Sequence, residues 1–100
     1  MATLSTSRSR PEPLWEILAA FNRALARLSF SSPVTHVYNP HVYAREPYQE
    51  YCRTYGRGVK RAVFMGMNPG PWGMVQTGIP FGEVDIVQNW LKISGRIGSP

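Results

Sequence analysis

The stretch that decides the expected fold is "VFMGMNPGPWGMVQTGIPFGE", residues 63–83, in which a short apolar run gives way to a loop rich in glycine and proline. The run at residues 62–65 does not alternate between polar and apolar side chains. That pattern is typical of a strand covered on both faces in a parallel sheet. We therefore predict an α/β fold with a central parallel sheet and a central strand at about 60–65. Residues 66–82 would then lie in the crevice beyond the carboxyl end of that strand, where such folds bind ligands.

The composition of the loop limits the kinds of ligand that it could bind. Its five glycines permit close approach and positive φ, and its three prolines restrict its freedom, so we expect it to be shaped before a ligand arrives. Backbone N–H groups of such a loop can hold a phosphate, but the Gly-Lys-Ser/Thr of a P-loop and the Gly-x-Gly-x-x-Gly of a dinucleotide site are both missing. The alternative is a flat pocket for a ring, in which Phe81 stacks and Asn68 holds a polar edge. That composition fits a flipped nucleobase.

Helices are predicted on both sides of the loop. Apolar residues recur at spacings of three and four over roughly 13–28, which indicates an amphipathic helix. "EPYQEYCRTYG", residues 46–56, predicts a second helix with Pro47 in its first turn, Gly56 just past its end and a packed face of tyrosines. "GEVDIVQNWLKISG", residues 82–95, predicts a third helix. Its buried side is expected to carry Val84, Val87, Trp90 and Leu91.

Composition sets the broad class. One hundred residues suffice for one small domain, which we place at 13–100 after a flexible basic leader at 1–12. The net charge of +5 favours an anionic partner such as nucleic acid, although many small soluble domains are also basic. A lone cysteine, Cys52, excludes an internal disulfide and favours a reducing compartment. No apolar run has the length of a signal peptide core or a membrane span, so a soluble intracellular protein is expected.

Two motifs carry a resemblance to a known family. "GMNPGPWGMVQTGIPFGEV" at 66–84, with "VYNPHVYAREPYQEY" at 37–51, resembles the single-strand-selective monofunctional uracil-DNA glycosylase family of base-excision repair. The similarity runs from about residue 14 onward and corresponds to the N-terminal part of a family member. It implies a three-layer α/β/α fold, incomplete in this chain. It also implies removal of uracil, and of oxidised uracils such as 5-hydroxymethyluracil, from single- and double-stranded DNA by a nuclear, monomeric enzyme without metal or organic cofactor.

The resemblance also implies roles for four residues. Asn68 matches the catalytic asparagine that holds the attacking water under the anomeric carbon. The backbone at Met67 contacts the base, the Phe81 ring stacks on it, and Gly70 leaves space near the pyrimidine C5. Because an amide cannot take a proton as a carboxylate does, Asn68 would orient water rather than act as a general base. Most of the barrier would then fall through electrostatic stabilisation of the leaving pyrimidine anion and the cationic sugar.

Other parts of the family's site have no counterpart in this sequence. The His-Pro-Ser-Pro motif and the second pocket asparagine are not found, and both His36 and His41 precede the first motif, so we expect them to be surface or packing residues. The sequence is therefore expected to be the N-terminal segment of a glycosylase and inactive by itself. One alternative is a non-catalytic DNA-binding or regulatory short isoform. Another is an unrelated module whose loop binds a small anion.

Overall fold

The computed structural model describes residues 13–100, and the leader predicted at 1–12 lies outside the described residues. Its helical elements are α1 (Pro13–Leu25), α2 (Pro40–Tyr43), α3 (Arg45–Tyr55), α4 (Met74–Thr77) and a π-helical turn (Ile86–Trp90). Long segments without regular secondary structure connect them. Within this part of the chain, no helix is both long and apolar enough to cross a bilayer.

The predicted α/β fold is wrong for this structure. None of residues 13–100 belongs to a β-strand, so neither the parallel sheet nor the central strand at 60–65 is present among them. Val63, Phe64 and Met65 are instead 82%, 84% and 90% exposed. A strand exists only when a neighbouring strand takes up its N–H and C=O groups, and no described segment does so here. The apolar run therefore lies on the surface with a solvated backbone.

The first predicted helix is confirmed as α1, which begins at Pro13 and ends at Leu25 rather than near residue 28. The chain continues past α1 in a 3₁₀-type turn, in which the Leu28 N–H donates to the Leu25 carbonyl, three residues back, at 3.0 Å. No side chain of α1 is buried. Its apolar face is packed only in part: the Trp15 ring centroid lies 6.5 Å from that of Tyr48 of α3 (Arg45–Tyr55), whereas Phe21 is 51% exposed.

The second predicted helix is confirmed as α3. Pro47 lies in its first turn, and the Gly56 N–H closes the helix by donating to the Cys52 carbonyl at 2.9 Å. Tyr48 is buried, and its ring centroid lies 5.9 Å from that of Tyr51. Burial raises the pKa of the Tyr48 hydroxyl. The predicted packed face is thus confirmed for Tyr48 and Cys52 and in part for Tyr51, whereas Tyr55, at the end of the helix, is 39% exposed.

The third predicted helix is largely a π-helical turn. The Leu91 N–H donates to the Ile86 carbonyl, five residues back, at 2.9 Å. Val87 joins Ile79 and Ile93 in the small buried core. Trp90, predicted to be buried, is 74% exposed. The wider π turn rotates the residues that follow away from α-helical register, which moves Trp90 off the buried side.

The segment after the π turn is held against α3 by carboxylates. Glu50 accepts hydrogen bonds from the N–H groups of Ser94 at 3.2 Å and Gly95 at 3.1 Å. Glu46 accepts one from the N–H of Arg96 at 2.9 Å. Hydrogen bonds to charged acceptors are stronger than neutral ones. These three hydrogen bonds hold residues 94–96 along one side of α3.

Candidate functional site

One hollow of about 1010 Å³ gathers the residues that the sequence singled out. Met67, Asn68, Gly70 and Phe81 all line it. Its other walls come from α1, from the segment that leads into α2, and from α2 itself. The loop between residues 66 and 81 therefore folds back so that its two ends share a cavity.

Hydrogen bonds of the loop with itself and with α2 hold this shape. The Thr77 hydroxyl, buried at the end of α4, donates to the Gly82 carbonyl at 2.6 Å and accepts from the Ile79 N–H at 3.2 Å. The Tyr43 hydroxyl of α2 donates to the Val75 carbonyl. Since each partner is a backbone group, these bonds fix the path of the chain as it approaches Phe81.

Glycine is required where the loop turns against the helices. Gly78 caps α4 in the left-handed conformation, with φ of 76°. A Cβ at this position would lie 2.6 Å from the Ala44 Cβ, in the junction between α2 and α3. A residue with a side chain would meet both the left-handed strain and this contact. Gly78 thus lets the loop pack on the helices and sets the direction of the residues that follow.

Phe81 has a strained backbone and an available ring. Its φ of 55° lies in the left-handed region, which is uncommon for any residue except glycine and is concentrated at functional sites. The side chain is 68% exposed. A Cβ on Gly66 would come within 3.4 Å of the Phe81 Cζ, so the ring lies close to the Gly66 backbone. The ring offers an aromatic surface at the wall of the hollow.

Asn68 presents an amide to the same hollow. Its Nδ2 donates to the neighbouring Pro69 carbonyl at 2.9 Å. The Oδ1 has no donor among the described residues and can accept a hydrogen bond from water. An exposed amide in this orientation can orient a water molecule, but it cannot accept a proton.

Gly70 and Met67 complete the loop side of the hollow. A Cβ on Gly70 would meet no atom within 4 Å, so the space around it is open. The Met67 side chain is 100% exposed. No group of three His, Cys, Asp or Glu among residues 13–100 is arranged to hold a metal ion.

The opposite wall carries a polar cluster that the sequence analysis missed, formed by Asn22, Asn39 and His41. The Asn39 Nδ2 donates to the Asn22 Oδ1 at 3.0 Å, and the His41 Nδ1 lies 3.3 Å from the same oxygen. The His41 ring packs edge-on against Tyr48, with centroids 4.8 Å apart. Burial lowers the pKa of His41, so the ring is neutral at neutral pH. The sequence pattern that could have pointed to this cluster is Asn39 before Pro40, which is typical of a helix N-cap.

The two histidines differ in their surroundings. His36 is exposed and bonds only with its neighbour Thr35 among the described residues, at 3.0 Å. His41 is half-buried and lines the hollow that Asn68 also lines. His41 was predicted to be a surface or packing residue, and its contact with Tyr48 agrees with packing; its place in the hollow was not predicted.

Curated relatives identify the family. The chain is 48% identical to a single-strand selective monofunctional uracil-DNA glycosylase of Rattus norvegicus over 94 residues, which are 94% of this chain and 34% of the relative. The chain belongs to the single-strand-selective monofunctional uracil-DNA glycosylase family. A relative of the same name from Mus musculus is 45% identical over 100% of the chain and 36% of its own length. One from Bos taurus is 46% identical over 93% and 34%, respectively.

The resemblance predicted from two sequence motifs is therefore confirmed. The chain spans about a third of the length of these glycosylase relatives. No protein-family model matches the sequence.

Proposed function

We propose that this chain contributes the water-positioning part of a uracil-DNA glycosylase site and that it serves base-excision repair. The observation that carries the proposal is the hollow that Asn68 and Phe81 share, in a chain 45% to 48% identical to the named glycosylases. In the reaction, a water oxygen forms a bond to the sugar C1′ and loses a proton. The bond from C1′ to the base N1 breaks, and the base leaves with the electron pair. The proton from the water goes to solvent, and the uracil anion takes up a proton from solvent, so the products are free uracil and an abasic site.

Phe81, Met67 and Gly70 bind the extruded base in this proposal. The exposed Phe81 ring stacks on the pyrimidine, an interaction worth about 1–3 kcal/mol per base in single-strand binding proteins. The backbone at Met67 meets a polar edge of the base. Gly70 faces the pyrimidine C5, and the open space beyond it supports the entry of a 5-hydroxymethyl group. Oxidised uracils such as 5-hydroxymethyluracil are thus proposed substrates besides uracil.

Asn68 acts on the water in this proposal. Its Oδ1 accepts a hydrogen bond from the attacking water and holds it beneath C1′. Because the amide stays neutral and unprotonated, it contributes orientation rather than proton transfer. The main barrier is lowered by stabilising charge on the leaving base and the sugar.

DNA is the proposed partner, in both single- and double-stranded form. The net charge of +5 supports attraction to the phosphate backbone. Extrusion of a base costs least where it is unpaired, which favours single strands. The proposed location is the nucleus, and the protein is proposed to act as a monomer.

A second candidate function, uracil-dependent DNA binding without turnover, is favoured by the chemistry of the lining. None of the described residues around the hollow is Asp, Glu, Lys or Arg. The leaving anion would therefore meet no cationic side chain from this part of the chain. Binding by stacking and hydrogen bonds does not need one, whereas departure of the base as an anion needs stabilisation that would have to come from neutral donors here.

One assay separates the two functions. The chain is incubated with single-stranded DNA that carries one uracil, and abasic sites are then cleaved with alkali. Strand breaks that fall by about 10²-fold in Asn68→Ala demonstrate turnover that depends on the group that positions the water. Asn89→Ala is the matched control, because Asn89 is exposed and does not line the hollow. Uracil-dependent retention in a gel shift without breaks demonstrates binding alone, and the absence of both contradicts the two functions.

A further inference from the structure

Trp72 lies at the rim of the hollow. Pro69 and Gly70 before it and Gly73 and Met74 after it line the hollow, whereas Trp72 itself does not. Consecutive Cα atoms are about 3.8 Å apart, so the Trp72 backbone directly adjoins the wall at Gly73. The side chain therefore starts at the edge of the hollow, and it is 77% exposed.

The backbone that carries Trp72 is fixed by its own turn. Trp72 is the third residue of a turn in which the Gly73 N–H donates to the Gly70 carbonyl at 3.2 Å. Pro71, the second residue, has a restricted φ that favours such a turn. The Gln76 Nε2 donates to the Pro71 carbonyl at 3.0 Å and holds the turn from the other side. Binding through Trp72 thus requires little ordering of the backbone.

The indole ring of Trp72 is not committed to the interior of the chain. It makes no aromatic contact and no side-chain hydrogen bond with any of residues 13–100. Trp15, in contrast, packs against Tyr48, with ring centroids 6.5 Å apart. Aromatic side chains dominate the energetics of cores and interfaces because they bury a large area. The Trp72 ring keeps that area available for a ligand.

Exposure alone does not distinguish Trp72, because Trp90 is 74% exposed. The neighbours of Trp90 belong to a different part of the surface: Gln88 and Lys92 line a separate hollow of about 530 Å³. Trp72 differs from Trp90 in its place beside the hollow that holds Asn68 and Phe81. Trp90 is therefore a matched control for Trp72.

A base that enters the hollow leaves its neighbours in the strand outside. Extrusion takes the base out of its stack, so the adjacent bases lose a stacking partner. An aromatic side chain can replace that partner for any base, because every base has a π-face. The rim of the hollow is the place where the adjacent base would meet the protein.

We propose that Trp72 stacks on the base next to the extruded one in single-stranded DNA. The proposal rests on the proposed function, which sets the extruded base at Phe81. Trp72 would strengthen binding whichever base enters the hollow, whereas Phe81 and the rest of the lining would set the choice of base. In a duplex the adjacent base is paired and held in its own stack, so this contact favours single strands.

The test measures binding of the whole chain to two single strands by fluorescence anisotropy. Both strands carry a central uracil, which is flanked by thymines in one strand and by abasic positions in the other. The parent chain should bind the thymine-flanked strand about tenfold more tightly, as for one base stacked on an aromatic ring. Trp72→Ala should remove this difference, and Trp72→Phe should keep most of it. Trp90→Ala should keep all of it.

Three results would overturn the proposal. They are equal affinity of the parent chain for the two strands, a difference that survives in Trp72→Ala, and an equal loss of the difference in Trp90→Ala. The comparison of two strands on the same protein does not depend on any effect of a substitution on folding.

A third strand, with cytosine in place of the central uracil, tests the proposed function separately. The preference for uracil over cytosine should persist in Trp72→Ala. A uracil preference without a neighbour effect refutes the Trp72 contact alone. A neighbour effect that Trp72→Ala removes, without a uracil preference, supports the contact and refutes uracil recognition.

Discussion

Replacing Gly78 with alanine is expected to destabilise the chain strongly. Gly78 has φ of 76°, and the added Cβ would lie 2.6 Å from the Ala44 Cβ and 2.7 Å from the Ala44 carbonyl oxygen. Left-handed backbone costs a residue with a Cβ about 1–2 kcal/mol. Overpacking costs about 1–3 kcal/mol. Ala44 is fully buried between α2 and α3 and cannot move aside cheaply. The free energy of unfolding should therefore fall by about 2–5 kcal/mol.

The matched control is the same substitution at Gly70, in the same loop. The added Cβ would meet no atom within 4 Å, and the φ of Gly70 is outside the left-handed range. Gly70→Ala should leave the free energy of unfolding unchanged or raise it by up to about 1 kcal/mol, because alanine restricts the unfolded chain. The difference between the two variants isolates the contact of the loop with Ala44.

Urea unfolding followed by circular dichroism measures both variants. Midpoints and slopes give the change in unfolding free energy when the slopes are equal. A Gly78→Ala variant within about 0.5 kcal/mol of the parent chain, a change typical of neutral surface sites, would refute the described packing. So would a Gly70→Ala variant as damaged as Gly78→Ala.

Three further predictions concern acid, the site and the last residues of the chain. Burial lowers the pKa of His41 below its ordinary 6.5, so on acidification the unfolded chain binds a proton at a higher pH than the folded chain does. The contribution of His41 to the free energy of unfolding should therefore be constant above about pH 6.5 and fall below it. In thermal melting at a series of pH values, His41→Phe should remove this fall in stability and His36→Phe should keep it. The reverse result would contradict the described burial of His41. Gly70→Leu should weaken gel-shift binding of strands with 5-hydroxymethyluracil more than of strands with uracil, and equal losses would count against its place beside C5. Glu50→Ala leaves two backbone N–H groups without their acceptor and should lower the free energy of unfolding in urea by about 1–3 kcal/mol. The control Glu16→Ala should lower it by less than about 0.5 kcal/mol. Equal effects of the two substitutions would contradict the carboxylate contact.

Local signals in the sequence predicted the helices well. Proline in the first turn and glycine past the end mark α3, and each acts on the backbone within a few residues of its own position. The strand predicted at 60–65 is wrong because a strand depends on a partner segment that its own residues do not specify. An apolar run satisfies the pattern of a buried strand equally well when it lies on the surface, as residues 63–65 do.

The candidate site was predictable only in part. The loop motif brought Asn68 and Phe81 into one prediction, and both line the same hollow. The polar cluster was not found, because it joins Asn22 to residues 17 and 19 positions further along the chain. No local pattern relates side chains that meet only after the chain has folded back on α1. From the sequence, His41 is therefore expected only to be a surface or packing residue.

The central claim is that the hollow holds an extruded uracil against Phe81. Fluorescence anisotropy tests it most directly, with two single strands that differ only in a central uracil or cytosine. We predict tighter binding to the uracil strand by the parent chain and by Trp72→Ala, since Trp72 is exposed and does not line the hollow. Phe81→Ala should lose about 1–3 kcal/mol of stacking and with it the preference for uracil. Equal binding of both strands by the parent chain, or an undiminished preference in Phe81→Ala, would contradict the claim.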